Sequence, residues 1–360
     1  MRIAFIGTRG VPATYSGFET CVEQVGRRMV QRGHEVVVFC RTGHFRQRPP
    51  TYLGMDLVYL PAVRQKHLET LSHTALSALK LGPQTAIVCM GVGNAPVVRL
   101  LETRNRRSVF NVDGADWQRR KWGGFARGYL KRCERLAAAG RSLVVADAKA
   151  VQDYYLREYG RETELVPYGA DPPVDRGTDT LERFGVRSRE YLLWVGRMVP
   201  ENAPDDYIEA VKLAALGIPA LLVGDAAYAE RYKQSLRSVA PPEVTFTGYQ
   251  FGPAYQQLTA HAALFVLAAT VGGTHPVLVE QMAAGNAILA RETESNREVL
   301  GEAGLYWQSA AELAGLLREV WADGDRRDRL GDCARQRARE RYDWDLVTTR
   351  YMELCEKTLS

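Results

Sequence analysis

The chain has 360 residues, of which 46% are hydrophobic and 25% charged, and its formal net charge at pH 7 is +5. This length suits two α/β domains, each large enough to bury its own core. The composition is typical of a soluble globular protein, and no apolar run is long enough to cross a bilayer.

The N-terminus and the cysteines both indicate a cytoplasmic protein. The apolar stretch in MRIAFIG is short and runs directly into a glycine turn, so it is interpreted as a first strand and not as a signal peptide. The six cysteines are scattered, without a C-x-x-C pair or a His at metal-ligand spacing. We therefore expect buried, reduced thiols and no zinc site.

Strand and helix patterns alternate along the first half of the chain. The apolar run RIAFIG at 2–7 predicts a buried strand, and apolar residues at helical spacing predict a helix from Phe18 to Arg32 with Gly33 as its left-handed cap. Later strands are predicted at 35–40, 56–61, 85–91, 108–114 and 142–147. This alternation predicts a parallel, doubly wound sheet.

The pattern restarts after residues 162–177, a segment dense in Pro, Gly and Asp. It predicts strands at 191–197, 220–224, 244–248, 263–268, 287–291 and 304–307, and helices at about 205–216, 310–323, 325–341 and 344–357. The chain is thus predicted to hold two doubly wound α/β domains, residues 1–172 and 173–342, and a final segment 343–360. Ligands of such sheets bind beyond the carboxyl ends of the strands, so the active site is expected in the cleft between the domains.

Two loops after predicted strands have anion-binding features. Residues 7–19 combine glycines with the start of a helix, whose free N–H groups attract an anion, although an ordinary tight turn explains this loop better. Arg197 directly follows the first strand of the second half, where its guanidinium can bind a phosphate in bidentate geometry. An ion pair with Glu201 is the alternative.

The segment 269–285 is the most informative. A Gly-Gly turn leads into a helix whose first-turn position suits Pro276, so the N–H groups of 272–274 are expected to form an anion cradle. Glu280 lies one turn in, where a carboxylate can accept hydrogen bonds from two vicinal ribose hydroxyls. An exposed helix glutamate without function is the alternative, but the turn and the Gly285 cap favour binding.

Residues 101–141 form a basic stretch, with eleven Lys or Arg against four acidic residues. A solvated helix face and a patch for phosphates or anionic lipid heads are both open. Trp117, Trp122, Phe125 and Tyr129 lie among the cations, which suits peripheral contact with a membrane carrying a lipid-linked acceptor. No nucleic-acid-binding motif is found, so no nucleic acid partner is expected.

Together these segments resemble family 4 of the glycosyltransferases, retaining enzymes of the GT-B fold, in which two Rossmann-like domains face a cleft. The likeness covers nearly the whole chain and is carried by IGTRGVP (6–12), YSGFE (15–19), VGR (195–197), VTFTG (244–248) and THPVLVEQMAAG (274–285). The opening loop, VDG (112–114) with Trp117 and KW (121–122), and PEN (200–202) resemble the branch containing many bacterial rhamnosyltransferases of polysaccharide assembly.

The resemblance implies that the second domain binds a nucleotide-sugar donor. Arg197 would hold the diphosphate and Glu280 the ribose, and Tyr249 would lie near the base. The phosphates or the transferred sugar would meet Gly273, Thr274 and His275. No metal or other cofactor is implied.

The first domain would bind the acceptor, a glycan or lipid-linked glycan. Its loop from Gly10 to Gly17 would close over the donor phosphates, and the final helix would cross back onto this domain. The implied acceptor-binding residues are Arg9, Tyr15, Glu19, Asp113 and Trp117.

Three positions depart from the family pattern. The first carboxylate of its two-glutamate motif would fall at Gly272, a lysine is common at Asn202, and the position often held by an active-site His carries Asp113. The lost lysine would weaken diphosphate binding unless Arg9 or another cation substitutes. The lost carboxylate favours a donor with fewer hydroxyls, such as rhamnose or another deoxysugar.

The sequence therefore predicts a metal-independent retaining glycosyltransferase in the cytoplasm, at the inner face of the cell membrane if the basic stretch binds lipid. Arg197 would stabilise the leaving diphosphate, and Asp113 would orient the acceptor hydroxyl or steady the oxocarbenium-like centre. His73 and His275 are weaker candidates.

Two other classes of protein share part of this pattern. A nucleotide-sugar epimerase would share the fold and the donor site, and the losses at Gly272 and Asn202 suggest a non-catalytic nucleotide-sugar-binding subunit. A dehydrogenase is disfavoured, because the chain lacks the glycine fingerprint and the acidic residue that follows the second strand.

Overall fold

A computed structural model describes residues 1–13, 17–63, 65, 68–112, 124–226 and 229–359. The chain forms two compact units: unit 1 comprises Met1–Tyr168 and Trp344–Ser360, and unit 2 comprises Gly169–Asp343. Each unit is built on its own largely parallel sheet with helices between the strands, which confirms the predicted α/β fold class.

Unit 1 has an eight-stranded sheet in the order β3-β4-β2-β1-β5-β6-β7-β8. Its strands are β1 (Arg2–Ile6), β2 (Glu35–Arg41), β3 (Thr51–Tyr52), β4 (Met55–Leu60), β5 (Thr85–Met90), β6 (Val109–Asn111), β7 (Leu143–Ala146) and β8 (Glu164–Leu165). Neighbouring strands are parallel except for β3 and β4. The two-residue strands β3 and β8 were not predicted, because they are too short to show a period-two pattern.

Over its described residues, the first part of unit 1 has the α-helices α1 (Gly17–Gln31), α2 (Glu69–Leu79), α3 (Ala95–Thr103), α4 (Gly124–Ala138) and α5 (Lys149–Tyr159). The central strands β1 and β5 are almost fully buried, because parallel strands with helices on both faces bury both sets of side chains. This explains why they could be recognised as continuous apolar runs.

Unit 2 has a six-stranded, wholly parallel sheet in the order β11-β10-β9-β12-β13-β14. Its strands are β9 (Leu192–Val195), β10 (Ala220–Val223), β11 (Val244–Gly248), β12 (Leu264–Leu267), β13 (Ala287–Arg291) and β14 (Leu305–Trp307). Its helices are α6 (Asp179–Arg183), α7 (Pro204–Ala214), α8 (Glu230–Val239), α9 (Gly252–Ala260), α10 (Pro276–Ala284), α11 (Glu294–Leu300), α12 (Ala310–Ala322) and α13 (Gly324–Arg341).

One helix of unit 2 ends earlier than its sequence predicts. The expected end was Leu216, but α7 stops at Ala214, because Ala215 takes the left-handed conformation (φ 49°). The Gly285 cap of α10 (φ 78°) and Pro276 in its first turn are confirmed. Val279 and Met282 on the same helix are fully buried in the core.

The last helix, α14 (Trp344–Leu359), packs against α1 and β5 within unit 1. Asn111 donates from Nδ2 to the hydroxyl of the buried Tyr351 at 2.8 Å, and Arg32 pairs with Asp345 at 2.7 Å. All cysteines except Cys333 are buried, in line with the expected thiols. Over the described parts of the chain, no helix has both the length and the apolar character needed to span a membrane.

The strand order of each sheet reverses at one point, between β1 and β5 in unit 1 and between β9 and β12 in unit 2. The loops that follow the two strands at such a point lead away in opposite directions and leave a crevice at the carboxyl ends, where ligands of doubly wound sheets bind. In unit 2 these loops hold Arg197 and residues 268–275, and in unit 1 they hold residues 7–13.

Candidate active site

Two loops at the switch point of unit 2 are joined by hydrogen bonds. Thr270, after β12, donates to the carbonyl of Glu201, after β9, from its backbone N–H at 2.9 Å and from its hydroxyl at 3.1 Å. A Cβ on Gly224 would lie 1.9 Å from the carbonyl oxygen of Gly196, so the chain after β10 also packs directly on this loop. The loops therefore hold each other in place at the ligand edge of the sheet.

Arg197 lies on this edge with an exposed side chain. Within the described part of the chain its guanidinium makes no ion pair, so the pairing with Glu201 that the sequence left open is not formed. Its carbonyl accepts hydrogen bonds from the N–H of Val199 and from Nδ2 of Asn202, both at 2.8 Å. Asn202, where the family often has a lysine, thus fixes the backbone of Arg197.

The turn before α10 places Gly272 against His275. Gly272 has φ 153°, and a Cβ built on it would lie 2.5 Å from Cε1 of the imidazole. Ser295 donates to the carbonyl of Gly272 at 2.8 Å. The ring of His275 therefore occupies the space that any side chain at position 272 would need.

Glu280 on α10 is half-buried, and its Oε2 accepts a hydrogen bond from the hydroxyl of Tyr255 on α9 at 2.5 Å. Burial raises the pKa of Glu280 to about 7, and the hydrogen bond from Tyr255 opposes this only in part. Burial also raises the pKa of Tyr255, which therefore stays a donor. Glu280 is thus not a freely exposed helix glutamate, and donors from a ligand would stabilise its ionised form.

A buried polar network fixes the two helices that carry this pair. Gln281 donates from Nε2 to the hydroxyl of Thr259 at 3.1 Å. Asn286 donates from Nδ2 to Oε1 of Gln281 at 2.6 Å and to the carbonyl of Thr259 at 2.8 Å. These bonds set α9 against α10, so that Tyr255 faces Glu280.

Two aromatic rings lie exposed after β11. Tyr249 and Phe251 are 49% and 60% exposed, and their rings stack with centroids 5.7 Å apart at an angle of 20°. Tyr249 was predicted near a base, whereas Phe251 was not predicted at all. A stacked, solvent-facing pair of this kind can receive a planar base.

The second strand of unit 2 corrects one argument made from the sequence. An acidic residue, Asp225, does follow β10. Its carboxylate binds Nζ of Lys233 at 2.7 Å and the N–H of Ala226 at 2.7 Å, and the bond from Lys233 chiefly lowers the pKa of Asp225. Asp225 is therefore already engaged, unlike the acidic residue that binds ribose in a dinucleotide fold.

In unit 1 the loop after β1 is fixed by contacts with β2 and α1. Gly10 has φ 109°, and a Cβ there would lie 2.4 Å from Sγ of Cys40. Arg9 donates its N–H to Oε1 of the buried Glu19 at 2.9 Å and accepts from the N–H of Arg41 at 2.8 Å. Glu19 therefore holds the loop, and its contact with an acceptor stays a prediction.

The remaining predicted residues fall into three groups. His73 is fully buried, and burial lowers its pKa to about 4, so it is uncharged at neutral pH. Gly17 is the first residue of α1, and Gly273 and Thr274 are buried in the turn before α10. Tyr15, Asp113 and Trp117 lie outside the described residues.

The potential metal ligands in the described part of the chain are dispersed. Among the residues that the structure describes, no three His, Cys, Asp or Glu side chains are grouped so that they could hold a metal ion.

Two family models match the chain, one in each half. Residues 16–169 match the model described as "Glycosyl transferase 4-like domain", and residues 189–323 match the model described as "Glycosyl transferases group 1". No curated protein matches the chain.

Solved structures of several glycosyltransferases are similar over nearly the full length. Sucrose-phosphate synthase from Thermosynechococcus elongatus is 20% identical, with a TM-score of 0.83 over 99% of this chain and 98% of that one. HepE from Anabaena, solved with UDP, is 18% identical, with a TM-score of 0.77 over 99% and 100%. WaaG, a glycosyltransferase involved in lipopolysaccharide biosynthesis, is 17% identical, with a TM-score of 0.75 over 98% and 99%. These likenesses show the GT-B fold.

Proposed function

Since the chain belongs to family 4 of the glycosyltransferases, we propose that it transfers a sugar, with retention and without a metal, from a nucleotide-diphosphate donor to a glycan or lipid-linked glycan. The main support is the exposed guanidinium of Arg197, which makes no ion pair within the described residues and lies at the switch point of unit 2. The turn 272–275 and the start of α10 lie at the same switch point, so a cation and backbone donors are available to one diphosphate.

The charge that develops during transfer explains this arrangement. When the anomeric C–O bond breaks, its electron pair leaves with the diphosphate and positive charge develops on the sugar. Arg197 and the amides of the turn stabilise the leaving group. The acceptor hydroxyl forms the new bond on the same face of the sugar and gives up its proton to the departing phosphate oxygen, with Asp113 proposed to orient the hydroxyl.

Glu280 and the rings after β11 are proposed to bind the nucleoside. The carboxylate of Glu280 would accept hydrogen bonds from the two ribose hydroxyls, with Tyr255 holding it in place. The base would stack on Tyr249 and Phe251. Both contacts add affinity for a nucleoside at sites that are half-buried or exposed in the free protein.

The donor sugar is proposed to be a deoxysugar such as rhamnose. Position 272 lacks a carboxylate, and the His275 ring fills the space beside its Cα. A sugar with fewer hydroxyls needs fewer acceptors. HepE has been solved with UDP and with UDP-glucose, so these ligands belong in the first panel. A strong preference for UDP-glucose would count against a deoxysugar.

Peripheral contact with an anionic membrane is proposed for α4. Its exposed positions include the four cations Arg127, Lys131, Arg132 and Arg135. The one acidic residue of this helix, Glu134, is buried and accepts hydrogen bonds from the hydroxyls of Tyr154 and Tyr159, each at 2.9 Å. The exposed charge of α4 is therefore purely positive.

The test is an assay of transfer from UDP-glucose and dTDP-rhamnose to a panel of octyl glycosides. The proposal expects acceptor-dependent release of nucleotide and a product with the anomeric configuration of the donor, unchanged by EDTA. An inverted product would overturn retention, and a loss of activity in EDTA that added metal restores would overturn metal independence.

A further inference from the structure

A cluster of polar side chains lies in unit 1 at the carboxyl end of β2, outside the site described above. It consists of Arg41, His44 and Glu69, and we call it the Glu69 cluster. Nε2 of His44 lies 2.6 Å from Oε1 of Glu69, and Nη1 of Arg41 lies 3.8 Å from Oε2. Arg41 also donates from Nη2 to the hydroxyl of Thr70 at 3.0 Å.

The cluster is buried at Arg41 and partly exposed at His44 and Glu69. The side chain of Arg41 is 6% exposed, whereas those of His44 and Glu69 are 29% and 30% exposed. Burial raises the pKa of Glu69, but the hydrogen bond from His44 and the charge of Arg41 outweigh it, so the pKa lies below its usual value. Glu69 is therefore an ionised carboxylate that still faces solvent at neutral pH.

The buried polar groups next to Glu69 and His44 are incompletely hydrogen-bonded. Among the described residues, Nε of Arg41 is buried without a hydrogen-bond partner, and the imidazole of His73, on the same helix as Glu69, is fully buried. Burying such groups is unfavourable for folding, and they accumulate where a ligand or substrate is handled. A surface ion pair that only stabilised the fold would not need such buried polar groups beside it.

The position of the cluster fits a ligand site. Arg41 ends β2, and its N–H donates to the carbonyl of Arg9 in the loop after β1. It therefore lies at the carboxyl edge of the unit 1 sheet, beside the switch point, where doubly wound sheets bind ligands.

We propose that Glu69 and His44 form a subsite that binds a vicinal diol of the acceptor sugar. Glu69 accepts a hydrogen bond from one hydroxyl, and the second ring nitrogen of His44, Nδ1, contacts the other. Arg41 positions the carboxylate. The ionised carboxylate of Glu69 accepts hydrogen bonds only, so it matches a hydroxyl donor and repels a phosphate or carboxylate. This subsite rests on the proposed function of unit 1 in binding the acceptor.

The test is saturation-transfer NMR of the full chain with a panel of methyl pyranosides (glucoside, galactoside, mannoside, rhamnoside), compared with methyl phosphate. We expect saturation transfer to at least one pyranoside and not to methyl phosphate. In E69Q and H44A the dissociation constant of that pyranoside should rise about tenfold or more, as expected for the loss of a charged or well-oriented acceptor.

The matched control is E164Q. Glu164 lies on β8, and the substitution breaks its 2.5 Å ion pair with Arg350. This strand lies five positions from β2 in the sheet, roughly 24 Å away, so pyranoside binding should not change. An unchanged dissociation constant in both E69Q and H44A overturns the subsite, as does the failure of the wild type to bind any pyranoside. UDP binding, measured on the same samples, reports separately on the donor site of unit 2.

Discussion

The hydroxyl of Tyr255 lies 2.5 Å from Oε2 of Glu280, and the two residues come from neighbouring helices of unit 2, α9 and α10. Burial raises the pKa of Glu280 from its ordinary value of 4.5 to about 7. The carboxyl group of Glu280 therefore binds its proton more tightly in the folded protein than in the unfolded chain. Ionisation of Glu280 costs stability, and the cost grows as pH rises from about 4.5 to about 7.

The variant Glu280→Gln should consequently stabilise the ligand-free protein at pH 8 by about 1–3 kcal/mol and much less at pH 5. Urea denaturation of both proteins at the two pH values measures the difference. An equal effect of the substitution at both pH values would show that the Glu280 proton is not linked to folding.

The same pair should determine how the ribose is recognised. Glu280→Gln should weaken UDP binding more than 2′-deoxy-UDP binding. The dissociation constant of 2′-deoxy-UDP divided by that of UDP should therefore fall toward one. Tyr255→Phe should have the same effect to a smaller degree, because the carboxylate remains but is less well held. Calorimetric titration gives the ratio. A uniform loss for both nucleotides would assign Glu280 to another part of the ligand.

Arg197 should act on the diphosphate. Arg197→Ala is expected to weaken UDP binding roughly 10- to 100-fold, as for a lost charge-assisted hydrogen bond, and uridine binding little. Arg176→Ala is the control: Arg176 is exposed and lines a cavity beside Gly285, which precedes β13 at the opposite edge of the sheet. An equal loss of UDP affinity in the two variants would show that the overall positive charge of unit 2, and not a contact with Arg197, determines binding.

Gly272 and His275 should be energetically coupled. Gly272→Ala is expected to lower the free energy of unfolding by about 1–3 kcal/mol, because the new Cβ meets the imidazole and the backbone conformation is unfavourable for alanine. In the double variant with His275→Ala the two effects should not add, with a coupling of about 0.5–3 kcal/mol. Additive losses would mean that the ring moves away without cost.

The basic face of α4 should bind anionic lipid. The wild type is expected to sediment with vesicles containing phosphatidylglycerol and not with pure phosphatidylcholine. The double variant R132E/R135E should bind at least roughly tenfold more weakly. The control R329E/R339E places the same charge change on exposed positions of α13 in unit 2. Equal binding to both lipid types would exclude the electrostatic contact.

The sequence predicted what depends on residues close together in the chain. Continuous apolar runs revealed the long buried strands of both sheets, and the placement of Arg197 and the 272–275 turn followed from the rule that ligands meet the carboxyl ends of strands. The Gly285 cap was also predictable, because a glycine that directly follows a helical pattern commonly ends the helix in the left-handed conformation.

What the sequence could not predict are contacts between distant segments. Tyr255 is 25 residues from Glu280, and Thr70 is 29 residues from Arg41. Helical spacing identifies the face on which a residue lies, but not which side chain of the neighbouring helix it meets. Asp225, by contrast, directly follows the predicted strand 220–224 and was visible in the sequence; only the engagement of its carboxylate by Lys233 on α8 required the structure.

The most direct test of the central claim is the thermal stabilisation of the wild type, Arg197→Ala and Glu280→Gln by UDP, dTDP, GDP and ADP at millimolar concentration, followed by the sugar forms of the best nucleotide. We predict that one nucleotide raises the Tm of the wild type selectively, that one of its sugars raises it further, and that both variants lose most of the shift. No stabilisation of the wild type by any of the four, or an undiminished shift in both variants, would contradict a nucleotide-sugar site at the switch point of unit 2.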